Sequence, residues 1–171
     1  MIIYGEAHFQ PESVAFIEER IRTAAANCTE NIVLAHELAG DGIFTPLRAR
    51  RELEDCGEGN VCDPRINKDI FALAVELGIM LVGIDLPAAE IEAFKGDLPK
   101  QFAAREKRMI EVLRRLPINT RRRTVAVVGD AHLRYTTTKE LGGPSKIHLA
   151  VQRGTLTAEI VRAEKKWREV E

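Results

Sequence analysis

Two rhythms of apolar and polar residues alternate along this chain. Ile2-Ile3-Tyr4, Ile32-Val33-Leu34-Ala35, Ile79-Met80-Leu81-Val82-Gly83-Ile84 and Val125-Ala126-Val127-Val128 are short runs with no polar break. That is the pattern of strands buried on both faces. Between the runs, apolar residues recur at helical spacing. Val14, Ile17, Ile21, Ala24 and Ala25 follow Pro11; Ile70, Phe71, Ala74 and Leu77 precede Gly78; Phe102, Met109, Ile110, Leu113 and Leu116 follow Pro99. Each set makes one buried stripe on an amphipathic helix. In the third helix Arg105, Arg108, Glu111 and Arg115 take the wet side. The pattern predicts strands at about 1–5, 31–35, 79–84 and 124–129 and helices at about 11–26, 67–77 and 99–116, the last ended by Pro117. Shorter helices are expected at 46–54, 88–94 and 133–141, and a fifth strand where Ile147, Leu149 and Val151 alternate with polar residues. Residues 156–171 fit either a strand or a helix.

Strands alternating with helices are the signature of a mostly parallel sheet. The expected fold is a compact, doubly wound α/β domain over residues 1–171, with about five strands, helices on both faces and a possible antiparallel strand at the C-terminus. The usual order of such sheets sets the first strand between the second and the fourth, with a crevice at their C-terminal ends. Residues 39–66 interrupt the alternation with Gly40-Asp41-Gly42, a charged stretch and a loop holding Gly57, Gly59 and Pro64. A long, apolar-poor connection placed just after a strand end reads either as a substrate lid or as a surface excursion.

A chain of 171 residues, 45% of them hydrophobic, can bury one sizeable core. Its formal net charge of −1 carries no electrostatic footprint for nucleic acid. No apolar run approaches the roughly 18 residues of a membrane span, and the first residues lack a secretory pattern, so a cytoplasmic setting is expected. Cys28, Cys56 and Cys62 read as free thiols in that setting, although the loop between Cys56 and Cys62 could bring those two together. The pattern carries no oligomeric state.

The chemistry lies where strands end. Gly5-Glu6-Ala7-His8 follows the first strand and Gly129-Asp130-Ala131-His132 follows the fourth, while the second ends in His36-Glu37. One such turn reads as a tight exit whose acid caps a helix. Two copies with the same spacing, meeting at one sheet edge, read as a shared site. Two imidazoles with carboxylates suit a divalent ion such as Zn, Mn or Co, with His8, His132, Glu37 and Asp130 as candidate ligands. Without a metal, Glu6, His8, Glu37 and His132 can activate water as general acid and base. His36 and Arg134 are candidate substrate-binding residues, Arg134 for an anion. Asp85 is expected to cap the helix that starts at Pro87, and His148 to be structural.

These residues also carry a resemblance. The paired Gly-x-x-His elements at residues 5–8 and 129–132, with Glu37 ending the second strand, are similar to the superfamily that contains erythromycin esterase, the haem-binding lipoprotein ChaN, TraB/PrgY and the TIKI-type metalloproteases. The resemblance covers about residues 1–152 and implies a hydrolase-like site in which His8 and His132 are ligands or bases. The chain lacks the large helical insertions of the esterases and the membrane segments of TraB, which points to a small substrate. The expectation is a hydrolase of a small ester, amide or phosphoester that uses a His/Glu site, assisted by a metal ion, to activate water. The alternatives are a non-catalytic haem- or metal-binding protein, or a regulatory domain with a vestigial site.

Overall fold

The computed structural model describes residues 1–7, 10–26, 32–39, 41–55, 68–120 and 122–162. Its strands are β1 (Ile2–Glu6), β2 (Ile32–His36), β3 (Asp41–Phe44), β4 (Met80–Ile84), β5 (Arg123–Gly129) and β6 (Glu159–Arg162). They form one six-stranded sheet in the order β3-β4-β2-β5-β1-β6. Every pairing is parallel except that of β3 with β4. The α/β architecture with a mostly parallel sheet is the one the residue pattern predicts.

Alternation along the buried strands feeds two cores, because successive side chains leave opposite faces. Tyr4, Leu34, Leu81, Val125 and Val127 pack with Ile17 and Ile21 of α1 (Pro11–Ala26), Ala49 of α2 (Pro46–Asp55), and Ile70 and Phe71 of α3 (Lys68–Glu76). Ile3, Val33, Val82, Ala126 and Val128 pack with Met109, Ile110 and Leu113 of α5 (Leu98–Thr120) and Ile147 of α6 (Lys146–Gln152). The short α4 (Ala88–Glu92) leads from β4 toward α5.

Several details depart from the pattern. β5 lies between β1 and β2, so β1 does not separate the second and fourth predicted strands. Glu6 and His36 therefore flank the β5 exit from either side, in register with Gly129 and Val127. The C-terminal strand is parallel to β1, not antiparallel. Residues 147–151 are helical because Ser145 caps α6, its hydroxyl accepting the His148 N–H at 2.9 Å, and Ile147 and Ala150 fall on the buried side. The predicted helix at 133–141 does not form; Asp130–Leu133 is a 3₁₀ turn. Thr136, Thr137 and Thr138 then lose side-chain freedom in any helix, and Thr138 bridges to Gly142 instead. α5 runs on through Pro117 to Thr120.

The 39–66 excursion supplies the edge strand β3 and the helix α2, whose Phe44 and Ala49 are buried in the first core. The rest of it, with Cys56 and Cys62, lies outside the described residues, as do Cys28 and His8.

Gly5 is required by a close approach. A Cβ built there would sit 2.7 Å from Asp130 Oδ1 and 2.9 Å from Leu133 Cδ1. Gly129, by contrast, has φ −56°, which any residue adopts. Gly5→Ala is expected to lower unfolding free energy by about 1–3 kcal/mol in urea titrations, the usual range for overpacking. Gly143→Ala, where a Cβ meets open space, should be close to neutral.

Candidate functional site

β1, β2, β4 and β5 are parallel, so their C-terminal ends share one edge of the sheet. That edge carries Glu6, His36, Glu37, Asp85, Asp130 and His132. Glu6, His36, Glu37, Asp85 and His132 are all buried there. Buried charges persist only when paired, so their partners define the site.

The sheet divides these groups. Glu6 and His36 alternate onto the α1 side, where His36 Nε2 lies 3.6 Å from Glu6 Oε2. His36, fully buried, contacts this carboxylate and not an open crevice. On the α5 side the centre is Glu37, in the 3₁₀ turn after β2. Its Oε2 accepts the Gly129 N–H at 2.5 Å, and its Oε1 accepts from Arg105 Nη2 at 2.5 Å. Arg105 also forks onto Asp85, with Nε 2.9 and 3.0 Å from the two oxygens and Nη2 2.6 Å from Oδ2. Asp85 is thus an Arg105 anchor. It makes no cap for α4, whose N-terminus has no side-chain cap. Arg105, placed on the wet side by the sequence pattern, is only 16% exposed in its side chain.

His132 sits between two carboxylates. Its Nε2 is 3.4 Å from Glu37 Oε1 and its Nδ1 is 3.5 Å from Glu106 Oε1. Phe102 stacks on the imidazole with ring centroids 4.5 Å apart and planes at 26°. Burial disfavours the charged imidazole, but Glu106 and then Glu37 outweigh it, and the pKa of His132 is raised above its ordinary value. Carboxylates that favour the charged imidazole suit it to donating a proton.

Arg134 is committed inside the chain. It donates to Glu106 Oε1 at 2.6 Å and to the carbonyls of Ala131, Gly143 and Leu141 at 2.9, 3.1 and 3.3 Å. Asp130 is forked by Arg162 of β6, Nε donating to Oδ1 at 2.7 Å and Nη2 to Oδ2. His148 lies on α6 with its ring 6.3 Å from that of Tyr135.

The sequence pattern missed Arg105, Glu106 and Arg162. Glu106 had a signal: it falls on the stripe of Phe102, Met109 and Leu113, and a lone acid on a buried stripe needs a partner.

Among the described residues no group of three or more His, Cys, Asp or Glu is placed to hold a metal ion. The donor chemistry accounts for this. Asp130 is forked by Arg162, and both Glu37 oxygens accept from N–H groups within the chain. The described part of the candidate set does not fit a resident metal.

No family model matches the chain, and no curated protein matches it. Solved structures do. One titled "Bacterial protein toxins" matches with a TM-score of 0.53 at 22% identity, over 94% of this chain and 33% of its own. RRSP, a MARTX toxin effector domain from Vibrio vulnificus CMCP6, matches with a TM-score of 0.53 at 20% identity, over 94% of this chain and 32% of its own. A third, also of bacterial protein toxins, matches with a TM-score of 0.52 at 21% identity, over 94% of this chain and 33% of its own. The chain spans about a third of the length of these structures. The shared fold is that of bacterial toxin domains, and this overturns the resemblance to the erythromycin esterase, ChaN, TraB/PrgY and TIKI group. The short Gly-x-x-His turns that carried it are too common at strand ends to override a match over nearly the whole chain.

Two outcomes test this geometry. Arg105→Ala leaves Asp85 and Glu37 buried without their cation and should cost about 3–5 kcal/mol in urea unfolding, the range for breaking a buried pair. His132 should show the opposite pH sign to a carboxylate. Its folded pKa is raised, so its stabilisation is fully present below the free imidazole value of about 6.5 and is lost as pH rises through the folded value. The stability advantage of the parent over His132→Gln should therefore shrink as pH rises above about 6.5. An advantage that grows across that range would contradict the assignment.

Proposed function

We propose that the chain is a hydrolase of a small ester, amide or phosphoester, acting through water and a His/Glu pair at the C-terminal edge of the sheet. The observation that carries this reading is His132 set between Glu37 and Glu106. Such an imidazole can deliver a proton to a leaving group, and a carboxylate beside it can take one from water. On this reading His132 is the general acid that gives its proton to the leaving group, and Glu37, 3.4 Å from it, is the general base that takes a proton from the attacking water. Glu6 lies on the other face of the sheet with His36 and stands outside this pair. His132 is 2% exposed, which suits a small reacting group. Arg105 and Arg162 stand at the rim, with side chains 16% and 22% exposed.

A cytoplasmic setting belongs to the same proposal. No helix among the described residues is long and apolar enough to cross a membrane. RRSP, a toxin effector domain, shares the fold and adds no reaction to this reading.

A second reading has its own observation. Glu37, Asp85, Glu106 and Asp130 all accept hydrogen bonds from within the chain. An ionic core so fully satisfied also suits a domain whose site no longer turns over.

A panel of chromogenic esters, amides and phosphoesters separates the two. Turnover should appear in the parent and fall by about 100-fold or more in His132→Ala and Glu37→Gln, the loss typical of removing an acid–base group. Far-UV circular dichroism should show both variants folded. Elemental analysis should find no more metal in the parent than in His132→Ala. A parent silent across the panel supports the second reading, and hemin binding with a Soret band would replace both.

A further inference from the structure

We propose that Glu106 is the positioning residue of His132, holding the imidazole from its Nδ1 side so that Nε2 is presented toward Glu37. The proposal rests on the acid–base reading of His132 and extends it to a residue on another element. Glu106 lies mid-helix on α5 and is 1% exposed. Its Oε2 accepts the backbone N–H of Lys146, in the first turn of α6, at 2.7 Å. Its Oε1 accepts from Arg134 Nη1 at 2.6 Å and faces His132 Nδ1 at 3.5 Å. Nδ1 is buried and has no closer hydrogen-bond partner among the described residues. A separation of 3.5 Å is long for a hydrogen bond, as such contacts often are before substrate tightens them.

The helix supplies the rest of the mount. Phe102 and Glu106 are four residues apart and share a face of α5, so they meet the same ring, one by stacking and one by charge. Arg105, between them, takes the other carboxylate of the pair, Glu37. One stretch of α5 thus holds both His132 and Glu37. Arg134 gives the buried Glu106 charge its counterion at 2.6 Å.

A structural counterion for Arg134 would explain the burial of Glu106 equally well, so the test reads His132 itself. Two-bond ¹H–¹⁵N spectra of histidine-labelled parent protein at pH 7 should show a proton on His132 Nδ1. An imidazole with its proton on Nε2 alone and Nδ1 bare would overturn the proposal without any variant. Glu106→Gln keeps shape and one acceptor oxygen but loses the charge. It should move the His132 proton pattern toward Nε2, and lower kcat on whichever panel substrate turns over by about tenfold or more with KM little changed, as expected when a group orienting a functional histidine is lost. Glu106→Asp should recover part of both. An unchanged His132 spectrum in folded Glu106→Gln would overturn the proposal. A panel without turnover removes the hydrolase reading and leaves the spectrum to decide this one.

Discussion

One guanidinium holds the working edge of this sheet together. Arg105 reaches from α5 to Asp85 at the end of β4 and to Glu37 at the end of β2, and Glu37 in turn accepts the N–H of Gly129, the last residue of β5. Three parallel strands and a helix on their far side are tied through two carboxylates and one cation. The planar fork suits this task, since an ammonium cannot face two carboxylates with fixed geometry. Everything at the edge that looks like chemistry lies within one or two residues of this tie or leans on it.

The tie accounts for what the residue pattern could and could not reveal. The strands were legible because a strand buried on both faces has to be apolar throughout, and Ile32 to Ala35 or Val125 to Val128 have few other uses. The strand-end acids and imidazoles were legible for the same reason: polar residues that follow such runs sit at the edge. Strand order was not legible. β5 between β1 and β2 is a long-range choice, made by packing and by contacts such as Glu37 to Gly129. β3 was hidden because Asp41 and Gly42 look like a turn, and an edge strand needs only one partner. Arg105 was hidden because a charged residue on a helix looks solvated until its carboxylates are known. Glu106 was within reach, as an acid on an apolar stripe. Ser145 decided α6 against an alternating pattern too short to distinguish a strand from a helical turn.

The sheet also separates two chemistries that the sequence presents together. His36 and Glu37 are neighbours in the chain, yet one faces Glu6 across the α1 side and the other faces His132 across the α5 side. The backbone between them is the partition. A proton relay on one side has no short path to the other except around the strand ends, where Gly5 and the 130–133 turn pack too closely for a single added carbon.

The strand order has a consequence for how the chain comes into being. β1 precedes the other strands of this sheet in the chain, yet it pairs with β5 and β6 and with no strand between them. A nascent polypeptide therefore carries an apolar first strand unpartnered while β2, β3 and β4 are already able to associate. Closing that gap sets a high contact order, and with it slow completion and a window in which the unpaired β1 segment can stick to other chains. The same late event brings Arg162 to Asp130, so the second histidine turn acquires this support only once β6 has been made.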